Sequence, residues 1–171
     1  MLRSATIGST VVARRAGRTL IRPDGVERWV LVGASLGLGY DAGGRSGGPG
    51  MFHNVYLEPG AYAEYIRSGR FPDQTMLAMT VYQPADRVSP LKRGLFEGQF
   101  LGLEVAVKDP KRFEGGWAYF VFGTGGPGAE ARALPRAACQ HCHATHAAKD
   151  NVFVQFYPVL RDRLAIGGFS R

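Results

Sequence analysis

The sequence predicts an α+β fold, with strands in the middle of the chain and short helices in its last third. From Met51 to Phe122, stretches rich in aromatic and β-branched residues alternate with breaks that contain glycine or proline, which is typical of strands. After Pro135 the chain becomes rich in alanine, which favours helix. With 171 residues, 45% of them hydrophobic, the chain is expected to form a single domain.

The predicted elements follow in order along the chain. An apolar patch at residues 29–33 precedes a glycine-rich loop that runs from Gly37 to Gly50. Beyond the loop, the pattern predicts a strand at 52–57, a short helix at 61–66, strands at 75–82, 96–107 and 117–122, a helix at 137–148 and another at 152–164. Pro158 must kink this last helix or occupy its first turn.

The charge of the chain does not favour a nucleic-acid partner. The net charge is +7, but five arginines fall in a leading segment that contains no acid: Arg3, Arg14, Arg15, Arg18 and Arg22. Elsewhere basic and acidic residues alternate, as on an ordinary solvated surface. No apolar run approaches the roughly 20 residues of a membrane-spanning helix, so we expect no membrane span.

The amino-terminal segment is interpreted as a leader. Residues 1–20 are rich in Arg, Ser and Thr, and the apolar stretch from Ala5 to Ala13 is short and diluted by polar residues. This pattern indicates a degenerate export signal or a disordered leader. The remaining residues, 21–171, are expected to form the domain.

The segment Cys139-Gln140-His141-Cys142-His143 is the one strong motif, and it contains both cysteines of the chain. On a helix, two thiols one turn apart can add to the two vinyl groups at one edge of haem. The histidine that follows then reaches the iron. Both the spacing and the residue order of Cys-x-x-Cys-His are needed for this chemistry, so the motif indicates haem c.

Three other interpretations of the motif remain open at this point. A thioredoxin-type redox pair would need a strand and a βαβ unit before the cysteines, and the surrounding pattern has neither. A zinc site would use Cys139, Cys142, His143 and His146, but four ligands from a single helix cannot surround an ion tetrahedrally. The cysteines could also be two structural residues that lie close together by chance.

Besides CxxCH, several blocks follow one another along the chain, at residues 29–33, 52–56, 69–73, 102–109, 111–113, 117–120 and 150–161. In order and spacing these blocks resemble the cytochrome P460 and cytochrome c′-β family over roughly residues 20 to 165. The resemblance implies a mainly antiparallel β fold with a few short helices and a carboxy-terminal CxxCH helix that carries one covalent haem c. It also implies five-coordinate iron bound by His143, a homodimer and ligands from nitrogen chemistry. Since haem is attached to CxxCH outside the cytoplasm, the resemblance implies a periplasmic protein, despite the weak signal.

Two branches of this family differ in chemistry, and two positions favour one of them. The hydroxylamine-oxidising branch has a lysine bonded to the porphyrin edge, and the aligned residue here is Met79. That branch also has a carboxylate near the iron, and the aligned residue here is Leu134, which cannot accept a proton. Both differences favour the other branch, in which an apolar distal pocket binds nitric oxide.

The residues expected around the haem, besides the motif itself and Leu134, come from two strands. Leu77, Met79 and Val81 alternate on one face of their strand, and Phe52 begins the neighbouring strand. Each is equally compatible with an ordinary position in the core of a sheet. His53 could face the haem or the opposite side of its strand.

The resulting prediction is a c-type haem protein that binds nitric oxide, with no catalytic residue assigned. One alternative is a hydroxylamine or nitric oxide oxidoreductase. The other is an electron-transfer cytochrome in which Met79 binds the iron opposite His143. The sixth iron ligand is therefore absent, Met79 or His53, and a redox partner protein is compatible with each function.

Overall fold

The structure is a computed structural model that describes residues 17–38, 48–86, 90 and 93–166. The strands are β1 Thr19–Ile21, β2 Val30–Leu36, β3 Phe52–Leu57, β4 Met76–Ala85, β5 Phe96–Lys108, β6 Trp117–Gly123 and β7 Glu130–Arg132. The helices are α1 Pro59–Ser68, α2 Gln140–His146 and α3 Pro158–Ile166, and 3₁₀ turns occur at Val26–Arg28 and Val154–Phe156. The predicted α+β class, dominated by antiparallel strands, is confirmed.

The strands of the described residues form two antiparallel sheets. The larger sheet has the order β2-β3-β4-β5-β6, so that each strand pairs with its neighbour in the chain. The smaller sheet pairs β1 with β7, and Leu20 lies opposite Ala131. Because successive side chains of a strand point to opposite faces, the larger sheet has two faces of different composition.

One face of the larger sheet carries a continuous hydrophobic core, which we call the closed face. Val105 and Phe120 lie at its centre and are almost completely buried. Leu20 and Ala131 of the smaller sheet pack against this core, together with Trp29 and other residues. The smaller sheet therefore belongs to the layer that covers the closed face.

The other face of the larger sheet, the cavity face, packs against α1 and the carboxy-terminal segment. Tyr65 of α1 and Leu160 of α3 are fully buried in this second core. Helix α1 begins after Glu58, whose side chain accepts a hydrogen bond from the Ala61 amide at 2.8 Å. It ends at Gly69, which adopts the left-handed conformation that favours glycine.

The two carboxy-terminal helices are shorter than predicted. The chain turns through residues 136–139, and α2 begins only at Gln140, because Cys139 does not have helical backbone angles. The predicted helix at 152–164 is a 3₁₀ turn followed by α3, which begins at Pro158. Proline is favoured in a first turn because its missing N–H is not needed there.

The described part of the chain begins at Gly17, just before β1. Strand β1 includes Thr19 and Leu20, the last two residues of the predicted leader. Residues 1–16 and the centre of the glycine-rich loop lie outside the described residues. None of the described helices is long and apolar enough to cross a membrane.

Candidate functional site

The CxxCH motif lies at the start of α2, which packs against β6. Both cysteines are free thiols. Burial, followed by the nearby Glu104 and Cys142, raises the pKa of the Cys139 thiol above its ordinary value. A thioredoxin-type cysteine has the opposite property, since its pKa is lowered to make the thiolate reactive. The electrostatics of Cys139 therefore argue against the redox-pair interpretation.

His143 is held as a neutral imidazole with one nitrogen already engaged. Its Nδ1 lies 2.8 Å from the carbonyl oxygen of Asn151, and because a carbonyl only accepts, Nδ1 must carry the proton. Burial lowers the pKa of His143, and the hydrogen bond to Asn151 partly offsets this effect. The tautomer leaves the lone pair on Nε2, which is the form in which histidine binds a metal.

Aromatic rings fix the orientation of the His143 imidazole. The ring of Tyr119 lies on one side, with centroids 4.5 Å apart, and the ring of Phe153 lies 4.6 Å away. Tyr119 belongs to β6, so the histidine is packed directly against the sheet.

A cavity of about 320 Å³ opens between the motif and the cavity face of the sheet. Cys139, Cys142 and His143 line it on one side, and residues of β2 to β6 line it on the other. Such a volume is at the lower end of the range of small-molecule and cofactor sites. Among the described residues, no group of three or more His, Cys, Asp or Glu side chains converges as a metal-ion site would require.

A row of residues in register across the sheet forms the wall of the cavity, and we call it the central row. Its members pair in sequence from β2 to β6 and all line the cavity: Gly33, Val55, Met79, Glu104 and Val121. A neighbouring row contributes Leu77, Ala106 and Tyr119. The wall is thus largely apolar, with one carboxyl group in its centre.

The structure brings most, but not all, of the predicted haem-contacting residues to this cavity. Leu77, Met79 and Leu134 line it, as does His53. Val81 and Phe52 do not. Phe52 comes directly before His53 on β3 and pairs with Tyr82. Because neighbouring side chains of a strand point to opposite faces and His53 lines the cavity, Phe52 lies on the closed face.

Two residues that sequence reasoning did not assign to the site also line the cavity. Glu104 lies opposite Met79 in the β4–β5 register, and burial raises the pKa of its carboxyl group. The hydroxyl of Tyr119 is buried and has no hydrogen-bond partner among the described residues. Strand alternation could have found Glu104, because an acid between Leu103 and Val105 must face away from the closed face.

The residues present fit a haem. The two thiols and the neutral imidazole share one cavity, its walls are mostly apolar, and the unpartnered Tyr119 hydroxyl lies where a bound group could satisfy it. These are the features that a c-type haem requires of its protein.

The chain belongs to the cytochrome P460 family. The model of this family, described as cytochrome P460, matches residues 23–154, well over half of the chain. Membership implies a haem cofactor with its iron. A comparison with curated proteins gave no significant match.

Proposed function

We propose that the chain binds one haem c covalently and uses its iron to bind nitric oxide. Cys139 and Cys142 would each add across a vinyl group, with the sulfur bonding to one vinyl carbon and the thiol hydrogen going to the other. His143 would bind the iron through Nε2. The observation that carries the proposal is the shared cavity, in which this motif faces an apolar sheet wall.

The cavity wall opposite the motif is suited to a small, neutral ligand. Val55, Leu77, Met79 and Leu134 present carbon and sulfur atoms to the cavity. Lysine is absent from the described residues that line it, so nothing there matches the porphyrin cross-link of the hydroxylamine-oxidising branch. The haem would supply an open coordination position at its iron, and an apolar surrounding favours diatomic gases over charged ligands.

Haem attachment is tested by mass and absorption. The chain, expressed with a cytochrome maturation system, should gain the mass of one haem and keep its colour after denaturation. Cys139→Ser and Cys142→Ser should each keep one thioether bond, which shifts the pyridine haemochrome band. The double variant should have no covalently bound haem. A colourless wild-type protein with the mass of the polypeptide alone contradicts the proposal.

The absorption spectrum distinguishes nitric oxide binding from electron transfer. We expect high-spin, five-coordinate bands in both oxidation states and a new spectrum when nitric oxide is added. The variant Met79→Ala should leave the ferric spectrum high-spin. A low-spin wild-type spectrum that becomes high-spin in Met79→Ala would instead establish methionine ligation and an electron carrier. The same change in His53→Ala would identify His53 as the sixth ligand.

Glu104 favours a second candidate function, the oxidation of hydroxylamine or nitric oxide. Oxidation of hydroxylamine removes protons together with electrons, which pass to a redox partner. Leu134 cannot accept a proton, but the Glu104 carboxyl lines the same cavity. Because its pKa is raised, the ionised Glu104 carboxylate binds a proton more tightly than an ordinary glutamate does. The chain therefore has a proton-accepting group at a position different from the one expected.

The second candidate is tested with hydroxylamine and a dye oxidant. If the protein only binds gas, wild type and Glu104→Gln should both reduce the dye at the background rate. Turnover in wild type that falls at least tenfold in Glu104→Gln would establish the oxidoreductase function with Glu104 as its base. Val121→Ala is the matched control, because Val121 pairs with Glu104 from β6, lines the same cavity and has no proton to exchange.

The setting of the protein is part of the same proposal. We propose that it is exported to the periplasm, where haem is attached to CxxCH, that it forms a homodimer and that it exchanges electrons with a redox protein. Amino-terminal sequencing of the mature protein tests export, and light scattering on a sizing column tests dimerisation.

A further inference from the structure

The carbonyl group that holds His143 comes from a turn with an unusual backbone. Asp150 and Asn151 both adopt left-handed backbone angles, with φ of +47° and +58°. Aspartate and asparagine adopt this conformation more readily than other residues with a side chain, so the sequence at these two positions suits the turn. The turn is closed by the amide of Val152, which donates to the Lys149 carbonyl at 2.7 Å.

The side chain of Asp150 ties this turn to the sheet. One carboxylate oxygen accepts from Lys108 Nζ at 2.7 Å, and the other accepts from Trp117 Nε1 at 3.3 Å. Lys108 and Trp117 lie opposite each other where β5 ends and β6 begins. Lys108 Nζ also donates to the Phe71 carbonyl at 2.7 Å, which fixes the cation itself.

These contacts are only partly exposed to solvent. The Lys108 side chain is 19% exposed and that of Asp150 is 34% exposed. Partial burial reduces screening, so this ion pair constrains geometry more than a fully exposed pair does. We call Asp150, Lys108 and Trp117 the Asp150 clamp.

We propose that Asp150 is a positioning residue that acts on the iron through the Asn151 carbonyl and His143. The inference rests on the proposed function, since it requires His143 to bind haem iron. A carbonyl that accepts from Nδ1–H makes the imidazole a stronger donor at Nε2 and fixes its tautomer. The clamp therefore strengthens the iron–histidine bond and stabilises ferric iron relative to ferrous iron.

The experiment compares haem-loaded variants by resonance Raman spectroscopy and potentiometry. Asparagine tolerates the left-handed conformation as aspartate does, so Asp150→Asn changes the side-chain bonds and spares the backbone preference. We expect a downshift of the ferrous iron–histidine stretching band and a higher reduction potential. Lys108→Met should shift the band in the same direction, and Lys108→Arg, which keeps a charged donor, should restore it.

The two main variants separate positioning from simple electrostatics. Asp150→Asn removes a negative charge and Lys108→Met removes a positive one, so a pure charge effect moves their potentials in opposite directions and leaves the band in place. Glu27→Gln is the matched control, because it breaks an exposed ion pair with Arg28 in the 3₁₀ turn at Val26–Arg28, and Val26 of that turn packs into the core of the closed face. It should change neither reading.

The outcomes are decisive for the clamp. A band that shifts down in both Asp150→Asn and Lys108→Met supports it. A band that stays unchanged in haem-loaded variants overturns it, whether or not the potentials change, and leaves the proposed function standing. Wild-type protein without haem overturns the proposed function and the clamp together.

Discussion

The two faces of the larger sheet are made from the same strands and have opposite properties. On β5, Val105 belongs to the hydrophobic core of the closed face, whereas its neighbour Ala106 packs against the core of the cavity face. On β6, Phe120 packs deep in the closed face and Tyr119 contacts His143. A single alternating pattern therefore encodes a packed core on one face of the sheet and a ligand cavity on the other.

The difference comes from side-chain size and from what covers each face. The closed face is filled by large apolar residues and by the smaller sheet. The cavity face has small residues at key points, including Gly33 and Ala106, and its cover is α1 with the carboxy-terminal segment. A cavity remains where those small residues lie opposite the CxxCH motif.

The largest expected effect comes from matched valine substitutions on the two faces. Val105→Ala removes two buried methyl groups from the closed face and should lower the free energy of unfolding by about 2–3 kcal/mol. Val55→Ala in the central row borders the cavity, so we expect a loss of about 1–2 kcal/mol and a faster association of nitric oxide.

Denaturant unfolding and stopped-flow absorption measure the two effects. If Val105→Ala and Val55→Ala lost equal stability and bound nitric oxide at equal rates, the two faces of the sheet would not differ in packing.

A smaller effect is expected where the cavity face meets its cover. A Cβ atom on Gly33 would lie 2.5 Å from Tyr157 Cδ1, which is too close for any contact. Gly33→Ala should therefore displace Tyr157 and lower the free energy of unfolding by about 1–3 kcal/mol. Gly126→Ala is the control, because nothing lies within 4 Å of its added Cβ, and it should leave the midpoint of thermal unfolding nearly unchanged. If Gly33→Ala were as stable as Gly126→Ala, Tyr157 would be able to move aside without a loss of stability.

The smallest effect is expected from the carboxyl group in the central row. Burial raises the pKa of Glu104 above its ordinary 4.5, so the folded chain binds this proton more tightly than the unfolded chain does. Stability is therefore lost as the pH rises from that ordinary value through the raised pKa, and it stays constant above it. Glu104→Gln lacks this loss and should be slightly more stable than wild type at neutral pH.

Denaturant unfolding of wild type and Glu104→Gln, measured from pH 4 to pH 8, checks the sign of this pH dependence of stability. A difference between Glu104→Gln and wild type that does not grow with pH would mean that the carboxyl group is solvated in the folded protein.

Much of the fold could be predicted because its strands are long and regularly patterned. The strand at Phe52–Leu57 has the predicted bounds, and β6 is one residue longer than predicted. Strands β1 and β7 were missed, since three residues are too few to show alternation and their pairing joins distant parts of the chain. Helix α2 was predicted too long because alanine content does not show where backbone angles cease to be helical.

The candidate site was predictable only where a residue type has a fixed chemistry. Cys-x-x-Cys-His indicates haem by its spacing, whereas alternation on β3 leaves Phe52 and His53 equally placed until the register is known. The acceptor for His143 is the main-chain carbonyl of Asn151, and a backbone atom has no sequence signature. Glu104 was concealed because an acid inside a strand is usually assigned to the solvated side.

The pairing of β1 with β7 has a consequence for the order in which the protein assembles. The first of these strands lies near the start of the described chain, and the second immediately precedes the turn that leads to Cys139. Ala133 donates to the Arg18 carbonyl at 2.7 Å, and Leu134 donates to the Tyr119 carbonyl at 2.8 Å, so the approach to the motif is bonded on both sides. Because pairing between strands that lie far apart in the chain forms slowly, this ribbon closes after the local hairpins of the larger sheet, and the haem-attachment segment that follows it becomes ordered late.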